Sequence, residues 1–535
     1  MSKRINFYQN MLISFYMKET IQRAPFSPEL LEIGNFLKDT ILPILNQPQS
    51  YGSIYLERKK TKRYGCDFKN QTASETDSFG IVLRLYDGVT LHEKATNDFD
   101  SKLLETLAHQ LVENSKKKWK GKIPSWKERL TTELDPEIRS QIPSNPSSAD
   151  FVHFGIRYQK DPLQSSSKDY FSLLEQVLDR TKKILKKIEW SLDSISYATA
   201  RGTFRIEETL YLDSEVALSQ TLYRTSLALT LMSGAQSVRI PVGGLGGMEC
   251  WEISDSTIES LLRDLKDLTE AERLQPGKYK VIFSPSLSGV LAHEAFGHSQ
   301  EGDTCARQRS KAWELYQEGT LAGNQEATIL NNPAIYQNAD EPYAAWGSYF
   351  FDEEGWFAQK HFLLNKGRLG TPMTHFTSSE QLSIPRTANG KRESWSHGIY
   401  TRQTNTYFSE GTLTLDELME KMGDGFIATA CAGGMEDPKG MGIQVGIGYL
   451  REVKNGKPTS RVFVGPTGGF LQMTGETTEV LQSILGKTKI EAHLKTPDTA
   501  SHPFNEVGGC GKYHKEFVYA GCGGPYLLLE NVLLG

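Results

Sequence analysis

Apolar positions along this chain keep two different periods, and the change from one to the other outlines the elements. After Ser27-Pro28-Glu29, a helix-start signal, Leu30, Leu31, Ile33, Leu37 and Ile41 recur at helical spacing. Strand-like runs follow at 53–57 and 79–86, and Asp87-Gly88 makes a turn after the second. Near Ser101 a second amphipathic helix begins, with Leu103, Leu104, Leu107, Leu111 and Val112 on one side. Periodicity then dissolves from 116 to 149 into Lys, Glu, Ser and Pro, including Pro124, Pro136, Pro143 and Pro146. This stretch reads as a linker or insertion, and its Lys116-Lys117-Lys118 run as solvated surface.

Helical spacing resumes at 172–188 with Leu174, Val177, Leu178, Ile184, Leu185 and Ile188 inward and Lys182, Lys183, Lys186 and Lys187 outward. Alternating runs over 194–231, with turn signals at Arg201-Gly202 and Asp213-Ser214, predict an antiparallel meander. A further helix spans 254–273 through Ile258, Leu261, Leu262, Leu265 and Leu268, and Pro276-Gly277 breaks the chain. Beyond it come one strand (279–283), one helix (286–299), and many glycines among short β-like runs at 443–450, 461–464 and 526–529. The expected fold class is α+β, with mixed α/β N-terminal regions followed by a β-rich C-terminal domain carrying an inserted helix. The expected divisions are 1–115, a polar linker or insertion at 116–150, a middle α+β region with antiparallel strands at 151–275, and 276–535.

Composition narrows the function classes. With 38% hydrophobic and 23% charged residues, the 535-residue chain has an ordinary globular make-up. A net charge of −5 gives no reason to expect nucleic acid. No segment reaches the roughly 20 apolar residues of a membrane span. The apolar run at 11–17 is short and lacks a small-residue cleavage pattern, so no signal peptide is expected. Six cysteines without a CxxC pair fit a reducing cytoplasm, where a special cysteine is a ligand or nucleophile. The glycines at 243–247 lack the Lys-Ser/Thr of a phosphate loop.

The chemistry gathers in His293-Glu294-Ala295-Phe296-Gly297-His298, an HExxxH pattern. Neutral imidazoles bind zinc, and a neighbouring carboxylate that does not bind the metal can accept a proton from an activated water. Zinc peptidases with HExxH carry histidines four apart on one helical face. Five steps at about 100° each leave the two side chains about 140° apart on a regular α-helix. A π-turn brings them to within about 50°, and Gly297 makes that distortion cheap. A straight α-helix through His298 would therefore rule the site out. The motif supplies two ligands and needs a third, for which Cys510, Cys522, His502, His514 and Glu301 compete.

The run His293 to His298 continues through Ser299-Gln300-Glu301-Gly302-Asp303, and the whole resembles the signature of the TldD/PmbA family of metallopeptidases. The 346–355 run from Trp346 to Gly355 resembles that family's aromatic-acidic run, Arg402-Gln403-Thr404-Asn405-Thr406-Tyr407 its Arg-x-Thr-Asn-Thr element, and Cys510-Gly511-Lys512 its Cys-Gly-Lys. The likeness is strong over 279–535 and fainter at 51–88 and 197–231. It implies that His293, His298 and Cys510 bind Zn2+, that Glu294 is the general base, and that a fourth position stays open, the layout of a catalytic zinc site. Arg402 and Asn405 either bind substrate backbone or order the site, or are salt-bridged structural groups of a strand-like run, and Asp352, Glu353 and Glu354 either orient a ligand histidine or form a hairpin turn.

The resemblance further implies hydrolysis of unfolded or small peptides, including modified peptide precursors, within a dimer that encloses the site. The partner is a related TldE/PmbA-like subunit lacking the zinc motif, or a second copy of this chain. The alternatives are a zinc hydrolase of a non-peptide amide and a non-catalytic metal-binding or regulatory subunit.

Overall fold

A computed structural model describes residues 21–115, 118–130, 133–337, 343–490, 507–512 and 515–535. The apolar run at 11–17, Lys116 and Lys117, and His502, Tyr513 and His514 lie outside the described residues.

Two long strands, β1 (Tyr51–Asp67) and β2 (Gln71–Tyr86), form a hairpin. Its turn is held by the Asp67 carboxylate, which accepts from the N–H of Lys69 and of Asn70, both at 2.7 Å. The strands are far longer than the apolar runs at 53–57 and 79–86 suggest. Their outer halves are polar: residues 71–77 of β2 are exposed, so hydrophobic alternation marks only the inner half. Beyond β2 the chain adds β3 (Leu91–Thr96), then later β4 (Val152–Gly155), β5 (Tyr197–Asp213), β6 (Ala217–Ser233) and β7 (Gln236–Leu245). The strand order is β3-β2-β1-β5-β6-β4, with β7 also on β6. β1 and β5 pair from Ser53↔Asp213 to Asp67↔Thr199, so one sheet takes strands from both sides of the 116–150 segment.

Arg201-Gly202 does not turn the chain as its sequence suggests; it lies inside β5. Gly202 serves a close approach, since a Cβ there would stand 2.1 Å from the Trp251 ring. Asp213-Ser214 does form the connection to β6, where the Asp213 carboxylate accepts from Glu215 and Val216 N–H.

Helices α1 (Pro28–Phe36) and α2 (Ser101–Asn114) cover one part of this sheet with Leu30, Leu104, Ala108 and Leu111 buried. Asp100 caps α2 by accepting from Leu103 N–H at 2.7 Å. Helices α3 (Ser167–Lys187) and α4 (Asp255–Leu268) bury their apolar stripes against another part. Within the polar segment, Trp119 stacks on Tyr51, Trp126 and Ile138 are buried, and Arg129 pairs with Asp213 at 2.5 Å with both side chains fully buried. The segment is packed, and its two tryptophans are the apolar anchors among the prolines.

The C-terminal region is β-rich. Strand β8 (Gly277–Phe283) leads into helix α5 (Pro285–Ala292). Short strands β9 (Gly390–Lys391), β10 (Tyr400–Thr401) and β11 (Asn405–Phe408) follow. Then come β12 (Gly425–Asp437), β13 (Gly442–Lys454), β14 (Lys457–Val464) and β15 (Leu471–Glu476). The chain ends in β16 (Gly508–Lys512), β17 (Lys515–Gly523) and β18 (Leu527–Leu534). One sheet runs β14-β13-β12-β8-β18-β15, and β15 pairs with β13 as well, so five strands close on themselves. A second sheet ends in β11-β17-β16. The fold is thus mixed α/β with a β-rich C-terminal region. α5 lies against both sheets, and at Gly289 it approaches β17 so closely that a Cβ would sit 2.3 Å from Gly523 N.

Candidate metal centre

The buried helix α5 does not continue as a regular α-helix. Residues His293–Gly297 form a π-helical turn, the widening that a five-residue histidine spacing demands. The rings of His293 and His298 come to a centroid distance of 4.8 Å at 88°. The carbonyl of His293, at the head of the widened turn, accepts from Gln403 Nε2 at 3.1 Å. Gln403 fits there because residue 297 is glycine: a Cβ on Gly297 would lie 2.0 Å from Gln403 Oε1.

The third donor arrives from 212 residues away. Strand β16 carries Cys510, whose Sγ lies 3.3 Å from His298 Nε2. One ligand atom from each of His293, His298 and Cys510 can be chosen so that all lie within 4.8 Å of one another, and all three residues are buried. Atoms bound to one tetrahedral zinc at about 2.0–2.3 Å stand about 3.3–3.8 Å apart, so the group has the scale of one coordination sphere. Two imidazoles and a thiolate are a donor set that suits zinc.

The surroundings favour the thiolate. Burial alone would raise the Cys510 thiol, but the adjacent His298 and His293 rings overrule it and hold it well below its ordinary range. Arg402 donates from Nη2 to the Cys510 carbonyl at 2.6 Å and to Sγ at 3.1 Å. Burial opposes the charge on Arg402, and Cys510 and Glu301 outweigh that and hold it protonated. Glu301 is fully buried, with Oε1 3.3 Å from His298 Nδ1 and 3.6 Å from Arg402 Nε. That contact fixes Nδ1 as the N–H side of His298 and turns Nε2 towards Cys510.

Glu294 Oε2 lies 3.9 Å from His298 Nε2. Opposite it, β12 is bulged between Cys431 and Gly434, and a Cβ at Gly434 would stand 2.6 Å from Glu294 Cγ. Residues 432–435 of this strand are exposed, so the carboxylate is flanked by accessible backbone.

The other candidates lie elsewhere. Cys522 belongs to the main hydrophobic core on β17, and Cys305 Sγ approaches the Ser299 carbonyl at 3.5 Å; neither joins the metal-ligating group. Asp352 closes its own turn by accepting from Glu354 and Trp356 N–H, while Glu354 pairs with Arg84 at 2.6 Å and Glu353 with Arg392 at 3.1 Å. Asn405 is tied into the scaffold, donating to the Asn332 carbonyl at 2.8 Å and to Ser348 at 3.0 Å and accepting from Gly347 N–H. Gln403 is a contributor that residue type alone does not reveal. Its signal is positional, between Arg402 and the Thr-Asn-Thr run, facing a glycine in the histidine motif.

With this geometry in place, comparison with known proteins gives a consistent result. Residues 276–535 match the family described as PmbA/TldA metallopeptidase C-terminal domain. A protein named metalloprotease from Methanothermobacter thermautotrophicus is 27% identical over 64% of this chain and 71% of its own length. A metalloprotease TldD homolog from Haemophilus influenzae is 26% identical over 73% of this chain and 77% of its own. The crystal structure of TldE from Thermococcus kodakarensis shares the fold, with a TM-score of 0.60 over 95% of this chain and 99% of that one at 12% identity. Residues 276–535 thus belong to the TldD/PmbA family, as its C-terminal domain.

Proposed function

We propose that this chain is a zinc-dependent peptidase acting on unfolded or small peptides, including modified peptide precursors. The observation that carries the reading is the convergence of His293, His298 and Cys510 within 4.8 Å around a widened helical turn that also presents Glu294. His293, His298 and the Cys510 thiolate hold the zinc. When bound, the metal supplies a Lewis acid that polarises a carbonyl and acidifies water. Glu294 accepts the proton of the attacking water and passes it to the leaving amine. Glu301 and Arg402 position ligands: Glu301 orients the His298 ring, and Arg402 fixes the Cys510 sulfur by donating to it and to the Cys510 carbonyl. The substrate lies extended beside residues 432–435 of β12, the exposed strand segment next to Glu294, and is read through its backbone.

The chain acts in a dimer, with a TldE/PmbA-like subunit or with a second copy of itself, in the cytoplasm; none of its six cysteines forms a disulfide. Among the described residues no helix is long and apolar enough to cross a membrane. The test is hydrolysis of an unstructured peptide by the zinc-loaded protein, alone and with its partner. Glu294→Gln lowers the rate by about 10²–10⁴-fold with zinc content unchanged. Turnover that survives this substitution contradicts the reading, and absence of turnover in wild type under both conditions points to a regulatory subunit.

A further inference from the structure

A cleft of about 280 Å3 opens between the N-terminal sheet and the β16–β17 hairpin. It lies outside the metal-ligating group but shares walls with it. On one side β9 pairs with β10 in the register Lys391↔Tyr400, two residues before Arg402, which donates to Cys510 Sγ. On the other, Tyr519 follows Val518, the cross-strand partner of Cys510.

The cleft is crowded with charge, and most of that charge is already matched. Lys59 pairs with Glu57 at 2.7 Å, Arg224 with Glu207 at 2.9 Å, and Arg392 with Glu353 at 3.1 Å. Lys391 differs. Among the described residues no carboxylate forms an ion pair with it; its ammonium donates to the Tyr519 carbonyl and lies 5.6 Å from the centre of the Tyr349 ring. An ammonium has three donors, and here one is engaged by a neutral acceptor. Phe517, 46% exposed, lines the same cleft and offers an apolar wall.

From this arrangement we infer that the cleft is a carboxylate subsite, in which Lys391 receives the C-terminal carboxylate of a peptide whose last side chain packs on Phe517. The inference rests on the peptidase reading for its substrate class. Of the five cations that line the cleft, Lys391 alone forms no ion pair with a carboxylate among the described residues, and a lone ammonium suits a monoanion. A phosphate would need a second cation, and the neighbouring cations are already committed to glutamates. Burial, with Arg224 and Arg402 nearby, pushes the Lys391 ammonium down to about 7, against the opposing pull of Glu353 and Glu207. An arriving carboxylate therefore relieves a charge that the cleft holds at a cost.

The test uses fluorescence anisotropy with the full-length, zinc-loaded Glu294→Gln protein. The probes are one labelled unstructured peptide with an apolar last residue, as its free acid and as its C-terminal amide, and a second amide ending in Glu. The free acid should bind about tenfold or more tightly than either amide, as for a hydrogen bond to a charged group. Lys391→Met should bring the acid to the affinity of its amide. Equal binding of acid and amide, a preference that survives Lys391→Met, or a Glu-terminated amide that binds like the free acid overturns the assignment. The acid–amide comparison on the unaltered cleft stands even where Lys391→Met fails to fold. Cleavage reads the two ideas apart. Glu294-dependent hydrolysis of acid and amide without preference leaves the peptidase standing and removes the subsite. Preferred binding of the acid with no hydrolysis by wild type does the reverse.

Discussion

Arg402 and Glu301 hold two of the three candidate donors, Cys510 and His298, although neither belongs to the group itself. A buried arginine lies against the Cys510 sulfur and a fully buried glutamate against His298 Nδ1, so these two side chains are each held from behind. Replacing Arg402 with Met removes the hydrogen bonds that hold the Cys510 sulfur and carbonyl in place. Zinc affinity, read by competition with a chromogenic chelator, should fall about 10–100-fold, and unchanged affinity would show that Arg402 is only scaffold. The sequence made His293, Glu294 and His298 visible because they are neighbours. Cys510 stands 212 residues from His298, and spacing cannot rank it above Cys522 or Glu301; only likeness to a family singles it out. The partners of Arg402 and Asn405 were unreadable for the same reason: a polar residue in a strand looks alike whether it faces a ligand or a carbonyl.

At the scale of elements, the π-turn at His293–Gly297 is the feature that sequence geometry demanded, because five residues on a regular helix send two rings apart. Gly297 has a second task that the sequence hid, which is to admit Gln403. Gly297→Ala should destabilise the protein by about 1–3 kcal/mol in chemical unfolding and weaken zinc binding in parallel. Full stability and full affinity would show that Gln403 yields without consequence. Elsewhere periodicity located elements but misjudged their length. The hairpin β1–β2 extends well past its apolar runs because its outer half holds polar, exposed positions. Gly202 looked like a turn because glycine permits a turn and a close approach alike, and the Trp251 ring that decides between them lies 49 residues on.

Across the whole molecule, buried polar contacts fasten the N-terminal sheet to the region that carries the candidate metal centre. Arg84 of β2 reaches Glu354 at 2.6 Å, both side chains nearly inaccessible, and Arg129, paired with Asp213 of β5, also donates to the Gly355 carbonyl at 2.5 Å. Arg84→Met strands a buried carboxylate and should cost about 3–5 kcal/mol in unfolding experiments; a cost near zero would show that Arg386 suffices for Glu354. Acid acts on the same contacts. Burial would raise Glu354 and Glu207, yet Arg84 and Arg386 for the first and Arg224 for the second hold them down to about 2, against an ordinary 4.5. Their folded-state values are depressed, so their contribution is full above about pH 4.5 and is lost as pH falls towards 2. The melting temperature should drop across that window, and less steeply in Glu354→Gln. The partners in these ion pairs lie far apart in sequence and no periodicity joins them; the 116–149 stretch reads as a linker or insertion because its prolines and charges outnumber Trp119 and Trp126, which are buried.

The central claim is that His293, His298 and Cys510 together hold one zinc ion, and metal content tests it most directly. Protein purified without chelator and analysed by plasma mass spectrometry should contain about one zinc per chain, with the zinc lost in Cys510→Ala while the fold, followed by circular dichroism, is retained. Stoichiometric zinc in folded Cys510→Ala would contradict the account.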